Sequence, residues 1–187
     1  MRVIRDLDIL EGRDEQRAVT VMGACALAVV ALGAVPVALL APHALGAWQT
    51  LAWTAVGYAA SLPVHELVHA LFFRALGGRG THVRFGFKSG MLYATSPGAR
   101  YGRAAFVAIL LAPLAVVSAV LLAVGALVGD ATLCWLLVGL HASGCVGDVY
   151  FAWTCLRTPG VELCEDTERG IRLLGEDEPT PQGADGR

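Results

Sequence analysis

The sequence predicts an all-α integral membrane protein with four transmembrane helices and a short cytoplasmic loop that resembles a β-hairpin. Two observations support this fold class. First, 56% of the 187 residues are hydrophobic and only 16% are charged, against roughly 45–50% and about 25% in soluble domains. Second, four largely apolar segments each exceed the ~20 residues that a helix needs to cross a hydrocarbon core. They cover residues 18–41, 48–73, 104–129 and 131–156.

These spans divide the chain into predicted segments. Residues 1–17 form a cytoplasmic N-terminal segment, residues 18–156 a four-helix membrane domain, and residues 157–174 a cytoplasmic C-terminal segment. Residues 175–187 have the Pro, Gly and acidic bias of a disordered tail. A cleaved signal peptide is the alternative for the first span, but the apolar run there is longer than the about 7–15 residues of a signal core.

The basic residues predict the orientation. Of the fourteen lysines and arginines, four precede the first span, six lie at residues 74–103, and four lie from residue 157 onward. Short loops rich in Lys and Arg stay in the cytoplasm. We therefore expect a cell-membrane protein with both termini and the long middle loop in the cytoplasm.

The middle loop has a pattern of its own. Residues 82–95 (HVRFGFKSGMLYAT) show a rough alternation of apolar and polar side chains on both sides of a Lys-Ser-Gly turn. Such alternation predicts a short hairpin. A basic amphipathic loop that rests on anionic lipid headgroups explains the same residues equally well.

The second span contains the motif HELVH, residues 65–69. On a helix, His65 and His69 lie four residues apart on one face, where two imidazole nitrogens can bind one Zn²⁺ at ~2.0–2.1 Å. Glu66 starts a neighbouring face and is placed to act as a general base beside the ion. Ionisable side chains at membrane depth are costly, which favours a functional role for them. The motif therefore predicts a zinc site of the hydrolase type.

A catalytic zinc site usually has three protein ligands. The candidates for the third are His141 and Asp148 in the fourth span, His82 in the loop, and acids of the C-terminal segment. At about 1.5 Å per residue, Asp148 matches His65 in depth if the second and fourth spans are neighbours, and His141 lies about 10 Å farther out. We therefore predict Asp148 as the third ligand. His141 would orient a ligand, line the water path, contact substrate or simply pack.

Five cysteines without CxxC spacing are interpreted as small packing residues, and they predict no disulfide framework. They are Cys25, Cys134, Cys145, Cys155 and Cys164.

The chain resembles a family of small integral-membrane proteins of unknown function that are described as zincin peptidases. The resemblance is carried by VHELVHA, GLHASGCVGDVYF and ELCEDTERG. More distantly the chain is similar to site-2 proteases. That likeness implies His65, His69 and Asp148 as metal ligands and Glu66 as the catalytic base. The order Gly147–Asp148 and the lack of any asparagine differ from the site-2 protease pattern, so the likeness identifies no group that stabilises the oxyanion.

The sequence thus predicts a zinc metallopeptidase domain over residues 18–156, with Zn²⁺ as cofactor. Its partners would be the lipid bilayer and a membrane protein or peptide substrate, and no nucleic acid. Two other classes fit the same residues: a non-catalytic metal-binding membrane protein, and a structural membrane protein with a degenerate HExxH. Glu66 favours hydrolysis, because a protein that only binds metal needs no base beside the ion.

Overall fold

The computed structural model of the chain describes residues 1–8, 12–88, 91–167 and 169–176. The predicted disordered tail lies outside the described residues from position 177 onward. The described residues form five helices, which are α1 (Arg13–Leu40), α2 (Ala47–Leu76), α3 (Arg103–Val128), α4 (Ala131–Gly144) and α5 (Val146–Arg157).

The prediction of an all-α protein is wrong, because the described residues also form six strands. These are β1 (Arg2–Asp8), β2 (Arg84–Lys88), β3 (Met91–Thr95), β4 (Arg100–Gly102), β5 (Leu163–Thr167) and β6 (Gly170–Gly175). Strands β2 and β3 form an antiparallel hairpin at the position where the sequence indicated one. The other four strands form one sheet in the order β1-β6-β5-β4.

The four-stranded sheet joins parts of the chain that are far apart in sequence. Strand β1 pairs antiparallel with β6, β6 with β5, and β5 with β4 just before α3. The N-terminal segment, the end of the middle loop and the C-terminal segment therefore meet in one sheet. One face packs on the helices, where Leu7, Ile171 and Leu173 join a core with Phe106 and Ile109 of α3.

The other face of the sheet carries a row of ion pairs across all four strands. Glu165 of β5 lies 3.6 Å from Arg100 of β4 and 3.9 Å from Arg172 of β6. Arg172 in turn lies 3.1 Å from Asp6 of β1. Each such exposed pair contributes only about 0.2–1 kcal/mol. Their main effect is to hold the Glu165 side chain on the face of the sheet away from the helices.

The prediction of four membrane-spanning helices is also wrong. Among the described residues, α1 and α3 are long and apolar enough to cross a membrane, and the bent pair α4–α5 adds a third span only if its halves count as one. Helix α2 has 30 residues but falls short of the required hydropathy, because its Trp, Tyr, His and Glu residues dilute the apolar ones. The helix that carries HELVH is thus more polar than α1 and α3, and one side of it packs on α3 and α4.

The predicted fourth span, residues 131–156, is broken. Helix α4 ends at Gly144 and α5 begins at Val146, with a bend of 52° between them. Cys145 lies at the break, with backbone angles near −81° and 4°. Gly144 and Gly147 flank the bend, and glycine has the lowest helix propensity after proline. A single straight helix, the premise of the depth comparison above, does not exist here.

Candidate metal centre

Helix α2 points its ionisable side chains into the protein. Leu62, Val64 and Leu67 are 42–51% exposed, and they form the outer face of the helix. His69 is 7% exposed and His65 is partly buried. The i, i+4 spacing places the two imidazole rings side by side, with ring centroids 4.8 Å apart. The inward face of α2 therefore presents both histidines to α3, α4 and α5.

Asp148, in the first turn of α5, approaches both histidines. Its Oδ2 lies 3.3 Å from His65 Nε2, and its Oδ1 lies 3.5 Å from His69 Nε2. The bend after Gly144 sets the direction of α5 that brings this carboxylate to α2. The three predicted ligands thus form one cluster, whose donor atoms all lie within 4.8 Å of one another.

The cluster fits a zinc ion. Two ligands bound at ~2.0–2.1 Å to a tetrahedral ion are about 3.4 Å apart. One donor atom each from His65, His69 and Asp148 lies within 4.8 Å of the others, and the two imidazoles contact different oxygens of Asp148, at 3.3 and 3.5 Å. The Nδ1 of His69 lies 3.1 Å from the carbonyl oxygen of Ile109 in α3. That contact assigns the proton to Nδ1 and leaves Nε2 free to bind a metal, as in most protein zinc sites.

His141 reaches the same histidine from the other side. Its Nε2 lies 3.4 Å from His65 Nδ1, and its Nδ1 lies 3.0 Å from Ser118 Oγ of α3. The prediction placed His141 about 10 Å farther out than Asp148, and it failed because it assumed an unbroken helix. His141 and Asp148 instead flank opposite nitrogens of one imidazole ring.

Glu66 lies beside the cluster and faces a cavity. The cavity has a volume of about 270 Å³, and its walls include His65, Glu66, His69 and Asp148. The backbone N–H of Ala94 in β3 is directed at the Glu66 carboxylate and interacts favourably with its negative charge. A carboxylate held in this way next to two imidazoles can accept a proton from a molecule in the cavity.

The hairpin forms part of the cavity wall through β3. Lys88 pairs with Met91 at the turn, so the alternation of an antiparallel ladder turns the N–H and C=O groups of Leu92 and Ala94 away from β2. The Ala94 N–H, directed at Glu66, agrees with this orientation. Among the described residues no strand pairs with this edge of β3. The cavity is therefore lined by a free strand edge.

Asp166 of β5 is a cavity residue that the sequence singled out only as a weak candidate ligand. Its Oδ2 accepts hydrogen bonds from Thr95 Oγ1 at 2.5 Å and from the Ser96 N–H at 3.0 Å. Burial raises the pKa of this carboxyl to about 6, although both hydrogen bonds act in the opposite direction. The alternation in LCEDT, which turns Cys164 and Asp166 toward one face, was the available signal.

The other candidate ligands do not join the cluster. His82 is exposed before β2 and is not among the cavity residues. Glu165 lies on the outer face of the sheet with Arg100 and Arg172. The structure thus brings together His65, His69 and Asp148, and adds His141 behind His65.

One family model matches the chain. The family described as “Putative zincin peptidase” matches residues 58–161, which are 104 of the 187 residues. No curated protein and no solved structure matches the chain, and the likeness to site-2 proteases stays a prediction. The matched region includes the HELVH motif, His141 and Asp148. Since the match covers more than half of the sequence, the chain belongs to this family of zincin peptidases.

Proposed function

We propose that the protein is a membrane-embedded zinc metallopeptidase that hydrolyses peptide bonds of membrane proteins or peptides. One observation carries the proposal: Asp148 lies within 3.3–3.5 Å of both HELVH histidines. Two imidazoles and one carboxylate are a typical ligand set of a catalytic zinc site with an open fourth position. The cavity on which Glu66 borders supplies room for that position.

His65, His69 and Asp148 would hold the ion, each through one donor atom. Zinc bound there would supply a Lewis acid that lowers the pKa of a water and polarises the scissile carbonyl. Glu66 takes the proton from the attacking water and then gives it to the leaving amine. The Ala94 N–H holds the Glu66 carboxylate toward the cavity. The carbonyl of Ile109 keeps the His69 ring in the required tautomer.

The free edge of β3 supports a peptide as the substrate. A chain in extended conformation can bind there as an added strand, with main-chain hydrogen bonds to Leu92 and to the carbonyl oxygen of Ala94, whose N–H is directed at Glu66. That placement would lay its backbone along the cavity beside Glu66. A helical membrane segment would have to unwind first, because a helix has no free backbone groups to offer.

The four-stranded sheet supports the placement of all basic segments on the same side of the membrane. Strands β1, β4, β5 and β6 come from the three segments that carry the lysines and arginines. By the positive-inside rule we place both termini and the sheet in the cytoplasm. Reporter fusions after Leu174 and near His43 test this orientation. They should give opposite signals, with the cytoplasmic one after Leu174.

The decisive variant is Glu66→Gln, which removes the base and leaves the proposed ligands. The purified protein should retain zinc by elemental analysis. It should lose cleavage of membrane-segment peptides reconstituted in lipid, read by mass spectrometry of the products. Glu15→Gln is the matched control, because Glu15 pairs with Arg5 outside the cavity.

Three outcomes would contradict the proposal. Equal cleavage by Glu66→Gln and the unchanged protein would show that the activity does not come from this site. Retention of zinc without cleavage of any peptide by the unchanged protein would favour the non-catalytic metal-binding class. Failure to bind zinc after metal-free purification and reconstitution would leave only a structural role.

A further inference from the structure

A second cluster of metal-binding side chains lies behind His65, on the side away from Asp148. It consists of His65, His141 and Cys145, all partly or fully buried. His141 is 3% exposed and Cys145 is not exposed at all. His141 and Cys145 are four residues apart around the last turn of α4, which repeats the i, i+4 spacing of the two HELVH histidines.

The distances in this cluster suit a zinc-like ion. His65 Nδ1 lies 3.4 Å from His141 Nε2 and 3.7 Å from Cys145 Sγ, and His141 Nε2 lies 3.7 Å from the same sulfur. Around a tetrahedral zinc, two nitrogens are about 3.4 Å apart, and a nitrogen and a sulfur are about 3.6 Å apart. All three separations agree with these values within about 0.1 Å.

The surroundings of His141 prepare it as a ligand. Ser118 Oγ lies 3.0 Å from its Nδ1, and as an acceptor there it keeps the proton on Nδ1 and the lone pair on Nε2. Histidines that bind metals usually have such a partner on the other ring nitrogen. The lone pair of His141 Nε2 therefore points at the same space as His65 Nδ1 and the Cys145 sulfur.

We propose that His65, His141 and Cys145 form a second site for a thiophilic divalent ion of the zinc class. Two nitrogens and one thiolate are a donor set that favours zinc over magnesium or calcium. The ion would displace the proton of the Cys145 thiol into solvent, and the proton of the His65 ring would move from Nδ1 to Nε2, next to Asp148, so that the ring stays neutral.

The second site competes with the HELVH site for His65. A neutral imidazole offers one lone pair, on either Nε2 or Nδ1. Asp148 flanks Nε2, whereas Cys145 flanks Nδ1. An ion at the second site thus takes one of the three ligands from the first. The two sites therefore exclude each other, so one ion per chain would be bound at a time, and the ratio of their affinities rather than the zinc concentration would decide which site holds it.

The test uses Co²⁺ as the probe, because a thiolate ligand gives cobalt an intense charge-transfer band and nitrogen or oxygen ligands do not. The full-length double variant His69→Ala/Asp148→Ala lacks the first site and retains the second. It should bind one Co²⁺ per chain and show the thiolate band. Adding Cys145→Ser should remove the band and the bound ion.

Cys155→Ser in the same background is the matched control. Cys155 is also fully buried, in the helix that follows, and it has no histidine among its hydrogen-bond partners in the described residues. It should leave the band unchanged. The unaltered chain is also titrated with Co²⁺ beyond one equivalent. Its thiolate band gives a measurement that does not depend on the folding of any variant.

Two results would overturn the proposal. The first is the absence of a thiolate band in both the unaltered chain and the double variant. The second is a band that survives Cys145→Ser. Neither result bears on peptide cleavage, and loss of cleavage in Glu66→Gln does not bear on the thiolate band, so the two proposals fail separately.

Discussion

The charge of Asp166 offers a quantitative test of the cavity. This carboxyl lies between the hairpin and the four-stranded sheet, and burial raises its pKa from the ordinary 3.8 to about 6. We expect Asp166→Asn to stabilise the metal-free protein at neutral pH. The amide oxygen of Asn can still accept from Thr95 Oγ1 and the Ser96 N–H, which both bind a single oxygen of Asp166.

The sign and size follow from proton linkage. Because the folded state binds this proton more tightly than the unfolded state, its contribution to stability is complete below pH 3.8 and is lost as the pH rises through about 6. The interval between the two pKa values corresponds to about 3 kcal/mol of unfolding free energy. Asp166→Asn removes this loss. Its unfolding free energy should therefore equal that of the unchanged protein near pH 4 and exceed it by at most about 3 kcal/mol at pH 8.

The assay is denaturant unfolding of the metal-free protein in one detergent at pH 4 and pH 8. Asp6→Asn serves as the control, since Asp6 is 53% exposed on the outer sheet face. Zinc should narrow the advantage of Asp166→Asn, because a cation near His69 and Asp148 favours the charged carboxylate of Asp166. If the unchanged protein and Asp166→Asn lose equal stability between the two pH values, the carboxyl is not desolvated and the reasoning is refuted.

Three further predictions concern the ligands, the strand edge and the outer turn. The ligand test uses a chain that carries Cys145→Ser, which removes the second site. In that chain Asp148→Ala should abolish zinc binding in equilibrium dialysis, whereas His141→Ala should weaken the zinc affinity only about 10–100-fold. Equal losses of zinc affinity in the two variants would contradict Asp148 as a ligand. Ala94→Pro removes the N–H that binds Glu66 but no hydrogen bond to β2, so it should retain zinc and lower the rate of peptide cleavage; an unchanged rate would exclude a role for this edge. Asp130→Ala deletes the acceptor of three backbone N–H groups, at residues 44, 45 and 133, and should cost about 2–4 kcal/mol of unfolding free energy. Asp130→Asn should restore only part of this loss, because Asp130 accepts through both oxygens whereas the amide has one acceptor oxygen; a loss below about 1 kcal/mol in Asp130→Ala would refute this reasoning.

The helical part of the centre could be predicted from the sequence because it depends on local spacing. His65 and His69 are four residues apart, and a helix places them together whatever the rest of the chain does. The strands could not be predicted in the same way. Strand β4 has three residues, and β1 pairs with β6 across more than 160 residues. Nothing in the local pattern of either segment specifies so distant a partner.

The fourth span shows a different reason for failure. Its apolar length predicted one straight helix, and hydropathy does not report where a helix bends. The bend at Cys145 depends on the low helix propensity of Gly144 and Gly147 and on packing against α2 and α3. That bend decides whether His141 reaches His65. A prediction from depth along an ideal helix therefore placed Asp148 beside His65 and missed His141.

The strands supply what the helices lack. A transmembrane helix bonds all its backbone groups internally, so a bundle of helices can hold a metal through side chains but cannot bind the backbone of a substrate. In this protein α2 and α5 contribute the proposed ligands, whereas β3 contributes free backbone groups and orients Glu66 through Ala94. Asp166 links β3 to the four-stranded sheet through Thr95 and Ser96. The proposed hydrolysis of membrane peptides would need both walls, because one would hold the ion and the other would hold an extended chain against it.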